Sequence, residues 1–164
     1  MVHLKSEREL ERLRASADLV GRTLGTVASS IAPGVTTSEL DQIAEAFILD
    51  HNAKPAFKGY RVGKEVFPST LCTSVNDEVV HGIPNQNPLK EGDIVSVDCG
   101  VLLNGYYGDS AFTFAVGDIS DDTRALLTAT YESLMLAIAE STTGKRLGDI
   151  GAAVQQHCEL KGYG

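Results

Sequence analysis

The chain is 164 residues long, enough for one compact domain with a core of its own, and 43% hydrophobic residues against 22% charged ones make it too apolar for a disordered segment. Its 14 Lys and Arg against 22 Asp and Glu leave a formal charge of −8, with no basic cluster, which argues against non-specific nucleic-acid binding and against attraction to an anionic membrane. Cys72, Cys99 and Cys158 are too few and too scattered for a disulfide framework, no secretory leader opens the chain and no apolar run could span a bilayer, so a cytoplasmic protein with one domain over 1–164 is expected.

Leu10, Leu13, Ala17, Val20, Leu24, Val27 and Ile31 alternate in steps of three and four, which predicts a long amphipathic helix. Ser6 and Glu9 form a capping box at its start, and Ala32-Pro33-Gly34 stops it. A second helix is predicted over 37–51, opened by Thr36 with Glu39, carrying Leu40, Ile43, Ala44, Phe47 and Ile48 on one face and closed by Asn52. Residues 53–69 mix aromatic residues with Gly and Pro and read as a loop; 70–75 and 78–81 read as short strands about Asn76-Asp77. From Asp93 to Val116 two apolar-rich runs flank Asn104-Gly105, the favoured type I′ hairpin turn. Helices over 121–141 and 148–160 follow, separated at Thr143-Gly144.

An offset of 110 residues carries Gly34 onto Gly144, Glu39 onto Asp149 and Leu40 onto Ile150. Each copy is a long helix, a break at glycine and a second helix. A true repeat and a chance likeness of two amphipathic pairs both remain open on so short a match. If the repeat is genuine, the chain stops where a second set of strands should begin.

A two-residue turn at Asn104-Gly105 sets Asp98 opposite Ala111 and Asp109 opposite Gly100. The two aspartates then share a face as diagonal neighbours, roughly 7 Å apart at Cβ. Val95, Val97, Cys99, Val101, Leu103, Tyr106, Phe112, Phe114 and Val116 make the opposite face, which is expected to be core. The aspartate face, with Ser96, Gly100, Ala111 and Thr113, is small and polar. Two carboxylates this close repel unless a cation or a proton intervenes, and a divalent ion with oxygen ligands would relieve them. On the pair alone, an ordinary solvent-facing hairpin surface is the other reading. His81 lies at a strand end before Gly82 and Pro84, where an imidazole could bond a substrate or cap a turn. No glycine-rich phosphate loop is present.

The run Leu71-Cys72-Thr73-Ser74-Val75-Asn76-Asp77-Glu78-Val79-Val80-His81-Gly82-Ile83-Pro84, the strand Gly92-Asp93-Ile94-Val95-Ser96-Val97-Asp98 and the later Gly108-Asp109-Ser110 together resemble the methionine aminopeptidases of the bacterial type I class, over essentially the whole chain. The resemblance implies an α+β pita-bread fold, in which two pseudo-symmetric halves enclose a dinuclear metal site; here it covers the first half and the helix pair of the second. It implies hydrolytic removal of the initiator methionine from nascent polypeptides with a small second residue, with the ribosome as a possible further partner. By the same resemblance Asp98 and Asp109 are metal ligands, Asp109 bridging. His81 is catalytic and bonds the substrate or the tetrahedral intermediate. Phe57, Tyr60, Phe67 and Cys72 line the pocket for the methionine side chain, with plain core packing as the other reading of Phe57 and Tyr60. The cofactors would be two divalent ions, of cobalt, manganese, iron or zinc, activating a water.

The 61–67 segment looks longer than the family usually carries, and Phe57 stands where a smaller residue is frequent. The remaining ligands of the family, one His and two Glu, would follow Gly164. The domain is therefore expected to be incomplete at its C-terminus, and residues 1–164 alone inactive and unstable. A proline-specific pita-bread peptidase and a pita-bread binding module without chemistry are the competing readings.

Overall fold

A computed structural model describes residues 3–164, apart from the side chain of Val62. Its helices start where the capping residues put them. Before α1 (Glu7–Ala28), the Ser6 backbone N–H donates to Glu9 Oε2 at 2.8 Å. Before α2 (Thr37–Asp50), Thr36 donates from its backbone to Glu39 Oε2 at 2.7 Å and accepts from the Glu39 N–H at 3.2 Å. Asn52, at φ +58, closes α2 in a Schellman turn: its N–H reaches the Leu49 carbonyl at 3.0 Å and that of Ala53 reaches Ile48 at 3.2 Å.

The buried stripe of α1 is Ser16, Leu19, Val20, Thr23, Leu24 and Val27, so it departs from the expected one: Ala17 is exposed and Ile31 lies beyond the helix end. Ser16 and Thr23 are buried because their hydroxyls are satisfied. Thr23 Oγ1 donates to the Leu19 carbonyl at 2.8 Å, and Ser16 Oγ lies 3.0 Å from the Tyr106 carbonyl. A count of apolar spacing does not see such residues.

Residues 53–69, expected as a loop, contain β1 (Lys54–Pro55) and a small hairpin of β2 (Arg61–Val62) and β3 (Glu65–Val66). Two-residue strands are too short to show an alternation. β4 (Leu71–Val75) matches expectation, but 78–81 is not a strand. Asn76 takes φ +55, and its carboxamide is held by Asp93 Oδ1 at 2.9 Å and by the Ile94 N–H at 3.0 Å. The chain is thereby turned away from the sheet, and Val79 is left 87% exposed.

β5 (Ile94–Leu103) and β6 (Tyr106–Ala115) form the predicted hairpin, with Asp98 opposite Ala111 and Gly100 opposite Asp109. Asn104 at φ +52 and Gly105 at φ +84 supply the two positive dihedrals that a type I′ turn needs. β6 lines one edge of β5, while β1 and β4 pair with successive parts of the other. Val95, Val97, Cys99 and Val101 join Val20 and Val27 of α1 and Leu40 and Ile48 of α2 in the core between sheet and helices. Phe112, expected in that core, is 49% exposed and leans on Phe114 at 4.9 Å between ring centroids. It lies on an outer strand, with no further strand beside it among the described residues.

This first unit ends at Asp118, and a second compact unit runs Ile119–Gly164. Ser120 Oγ caps α3 (Asp121–Glu140) through the Thr123 N–H at 3.1 Å, and α4 (Leu147–Leu160) packs against α3. Glu132 on α3 meets His157 Nε2 at 3.0 Å and Lys161 Nζ at 3.3 Å. α3 leaves Tyr131, Leu134 and Ile138 more than half exposed.

The local geometry of α4 repeats that of α2 at the predicted offset. Gly34 and Gly144 share positive φ, at +94 and +92. The Arg146 N–H donates to Asp149 Oδ2 at 2.8 Å, as Thr36 does to Glu39. Gly162, at φ +84, closes α4 with the same pair of bonds that Asn52 makes after α2. Matching caps at both ends of two 14-residue helices favour a true repeat over a chance likeness. Among the described residues no helix is long and apolar enough to cross a membrane.

Candidate active site

The hairpin carries the carboxylates. Strand alternation and the register place Asp98 and Asp109 on one face, with Cys72 opposite Asp98 on the neighbouring strand. α1 fixes the turn end of this hairpin: Ser16 bonds the Tyr106 carbonyl, and a Cβ on Gly108 would lie 2.5 Å from the Ser16 carbonyl oxygen. Only a residue without a side chain lets the helix come that close to the strand beside Asp109.

His81 is exposed and takes φ +60, an uncommon conformation outside glycine. Its neighbours hold it there. The Thr73 N–H donates to the Gly82 carbonyl at 2.8 Å, and the Gly82 N–H donates to Ser74 Oγ at 3.1 Å. Further on, the Asn85 N–H donates to Thr37 Oγ1 at 2.8 Å, tying the His-Gly-Ile-Pro run to the start of α2.

The small hairpin, which the sequence pattern does not reveal, gathers the aromatic residues. The Gly59 N–H bonds the Phe67 carbonyl and the Phe67 N–H bonds the Tyr60 carbonyl, both at 2.9 Å, while the Tyr60 N–H bonds the Phe57 carbonyl at 2.9 Å. Phe57, Tyr60 and Phe67 are thereby drawn together from eleven residues of chain.

A cavity of about 580 Å³ brings all the expected site residues to one place: Phe57, Tyr60, Phe67, Cys72, His81, Asp98 and Asp109 line it. Ala56, Ile83, Gly100, Tyr107 and Gly108 line it too and were not expected as site residues. Ile83 stands inside the quoted His-Gly-Ile-Pro run, and Tyr107 shares the strand parity of Asp109, so both had a signal in the sequence. Asp41 of α2 was also missed. Its Oδ1 accepts the N–H groups of Thr70 at 2.9 Å and Leu71 at 2.7 Å, which sets the start of β4 just before Cys72.

Burial first, and then the charge and hydrogen bonding of Asp109, push the Asp98 carboxyl up to about 6, against the lowering influence of His81. The Cys72 thiol is pushed up to about 11 by burial and by both aspartates, so it is protonated at neutral pH and offers a soft, uncharged wall. The carboxylate pair suits a divalent cation, because two anionic oxygen donors that repel one another gain from a positive charge between them. It is a partial set: among the described residues no group of three His, Cys, Asp or Glu comes together to hold a metal.

Residues 11–164 match the metallopeptidase family M24. The chain belongs to that family. It is 46% identical to a methionine aminopeptidase of Clostridium acetobutylicum, over 100% of this chain and 64% of that one. It spans less than two thirds of the length of such relatives. Among solved structures, the methionine aminopeptidase of Rickettsia prowazekii superposes with a TM-score of 0.93 at 39% identity, covering 98% of this chain and 63% of that one. A prolidase of Pyrococcus furiosus, 20% identical, superposes at 0.85 over 98% of this chain and 45% of its own, a likeness of fold alone. The α+β pita-bread fold implied by the sequence is the fold of this M24 chain. Membership of a metallopeptidase family also implies a divalent metal cofactor.

Proposed function

We propose that this M24 protein is a cytoplasmic methionine aminopeptidase, with residues 1–164 part of one catalytic domain. It removes the initiator methionine from nascent polypeptides, at or near the ribosome. The observation that carries the reading is the union, in one cavity, of a carboxylate pair with three aromatic rings and a protonated thiol. A long, unbranched thioether packs well against aromatic edges and sulfur. The lining of that cavity includes both carboxylates and neither lysine nor arginine.

In this reading Asp98 and Asp109 would hold two divalent cations, with the other ligands contributed from elsewhere in the protein. Bound there, the cations supply the Lewis acidity that amide hydrolysis needs. The chain's own residues do the rest. Phe57, Tyr60, Phe67 and Cys72 seat the methionine side chain and exclude water from it. His81, held at the rim by the bonds to Thr73 and Ser74 through Gly82, presents a ring N–H to the scissile carbonyl oxygen, where negative charge grows as water adds. The family likeness to methionine aminopeptidases near half identity supports this substrate over a proline-specific one, since the prolidase likeness extends to the fold alone.

The full-length protein, given manganese or cobalt, should release methionine from Met-Ala-Ser and leave Gly-Pro and Ala-Pro dipeptides untouched. Chelation should stop it and added metal restore it. Asp109→Asn should abolish turnover with the melting curve preserved. Retained activity in that variant, or turnover confined to proline peptides, would sink the reading.

A further inference from the structure

Gly100 lies on the carboxylate face of β5, two residues after Asp98 and directly opposite Asp109. It lines the cavity. A Cβ built on it would stand 2.6 Å from Cε1 and 3.0 Å from Cζ of Phe57, and 3.0 Å from the Cβ of Ala56. Such distances are shorter than any relaxed carbon–carbon contact, which lies at about 3.5–4.0 Å. The Phe57 ring therefore occupies the volume that a side chain at position 100 would take.

The backbone on either side of the ring is held in place. The Ala56 N–H donates to the Gly100 carbonyl at 2.9 Å, which extends the pairing of β1 with β5 by one residue. On its other side, the Phe57 carbonyl accepts from the Tyr60 N–H at 2.9 Å at the foot of the small hairpin. The backbone that carries the ring is thus tied to Gly100 before it and to the aromatic loop after it. One wall of the cavity is built from the loop because the sheet contributes no side chain there.

We propose that Gly100 is a specificity-determining residue, acting through Phe57: the missing side chain on β5 lets the ring of Phe57 close the pocket for the first residue of the substrate, and the two positions form one size-complementary pair. This inference rests on the aminopeptidase reading above. It assigns the width of the pocket to a pair contributed by two elements, with a fixed sum of volumes. A methyl group at 100 displaces the ring toward the cavity. A smaller residue at 57 then makes room for it again. Neither substitution replaces a carboxylate or His81.

The test is a double-mutant cycle in the full-length, metal-loaded protein, with Gly100→Ala, Phe57→Ala and the double variant assayed on Met-Ala-Ser and Leu-Ala-Ser. Melting curves would confirm that each variant folds. Binding of free methionine by calorimetry supplies a second readout independent of turnover. Gly100→Ala should lower kcat/KM for the methionine peptide at least tenfold, mostly through KM, and weaken methionine binding in parallel. In the double variant Phe57→Ala should recover most of that loss, a tenfold departure from additivity that corresponds to a coupling of about 1.4 kcal/mol. The preference for Met over Leu should change in both single variants. Additive effects, or a Gly100→Ala protein with unchanged KM, methionine affinity and Met-to-Leu preference, would overturn the proposal while the wild-type activity still stands. A wild-type protein that neither binds methionine nor releases it would instead overturn the aminopeptidase reading beneath it.

Discussion

Asp41 offers a sharp test of how the site is supported, because its carboxylate is the acceptor for two backbone N–H groups, those of Thr70 and Leu71. Both residues are 0% exposed, so in the folded protein the two N–H groups are satisfied by Asp41 and not by solvent. In Asp41→Ala each orphaned donor costs about 1–3 kcal/mol. Removing a half-buried charge returns part of that, which leaves a net loss of about 2–4 kcal/mol, or about 5–15 °C in Tm for a chain of this size. Asp41→Asn keeps an oxygen acceptor for both donors without the charge, and its stability should stay within about 1 kcal/mol of wild type.

The two variants also differ from wild type in pH dependence. Burial raises the Asp41 carboxyl above its ordinary 3.8, against the lowering by the Leu71 and Thr70 N–H groups and with help from nearby Glu45. The folded state therefore holds the proton more tightly than the unfolded state. This contribution favours folding in full below about 3.8, declines as pH rises through the raised folded value, and is constant above it. Urea titrations of the full-length protein between pH 3.5 and 7 should show a steeper decline in wild type than in Asp41→Asn, the difference being the contribution of Asp41, because Asp98, raised to about 6, titrates in both. Equal losses in the Ala and Asn variants, or an Ala variant within about 0.5 kcal/mol of wild type, would refute the assignment of Asp41 as the clasp on β4.

Three further outcomes follow from the same contacts. Gly108→Ala forces a methyl group to within 2.5 Å of the Ser16 carbonyl oxygen and should cost about 1–3 kcal/mol in urea unfolding, whereas Ser16→Ala, which loses the buried bond to Tyr106, should cost about 1 kcal/mol. Gly105→Ala places a side chain at φ +84 in the hairpin turn and should lower stability by about 1–2 kcal/mol, with Gly105→Asn milder because asparagine tolerates left-handed backbone. Ser120→Ala removes the cap that accepts from the Thr123 N–H and should cost about 1 kcal/mol, read as a loss of helical signal at lower temperature.

The elements that depend on neighbours close in sequence are legible from the residues themselves. Ser6 with Glu9 and Thr36 with Glu39 announce helix starts three residues apart, and Asn104-Gly105 sets a register that carries Asp98 and Asp109 to one face. The repeat at an offset of 110 is visible too, though only its matching caps at Thr36 and Arg146 and its matching turns at Asn52 and Gly162 lift it above chance. The carboxylate pair and His81 stand out as candidates from the residues, their roles and the pocket residues enter through a motif resemblance, and the cavity unites all of them.

Capping contacts, turn chemistry and the parity of side chains along a strand are written in the sequence of this protein, because each depends on residues a few positions apart. Long-range packing settles the rest: that Ser16 and Thr23 are buried, that Phe112 is not, that 53–69 folds into a hairpin gathering three aromatic rings, and that Gly100 yields its space to Phe57. Those outcomes turn on which groups from distant parts of the chain meet. The Ser16 hydroxyl is buried where the distant Tyr106 carbonyl meets it, and Gly100 matters because Phe57 fills the space it leaves.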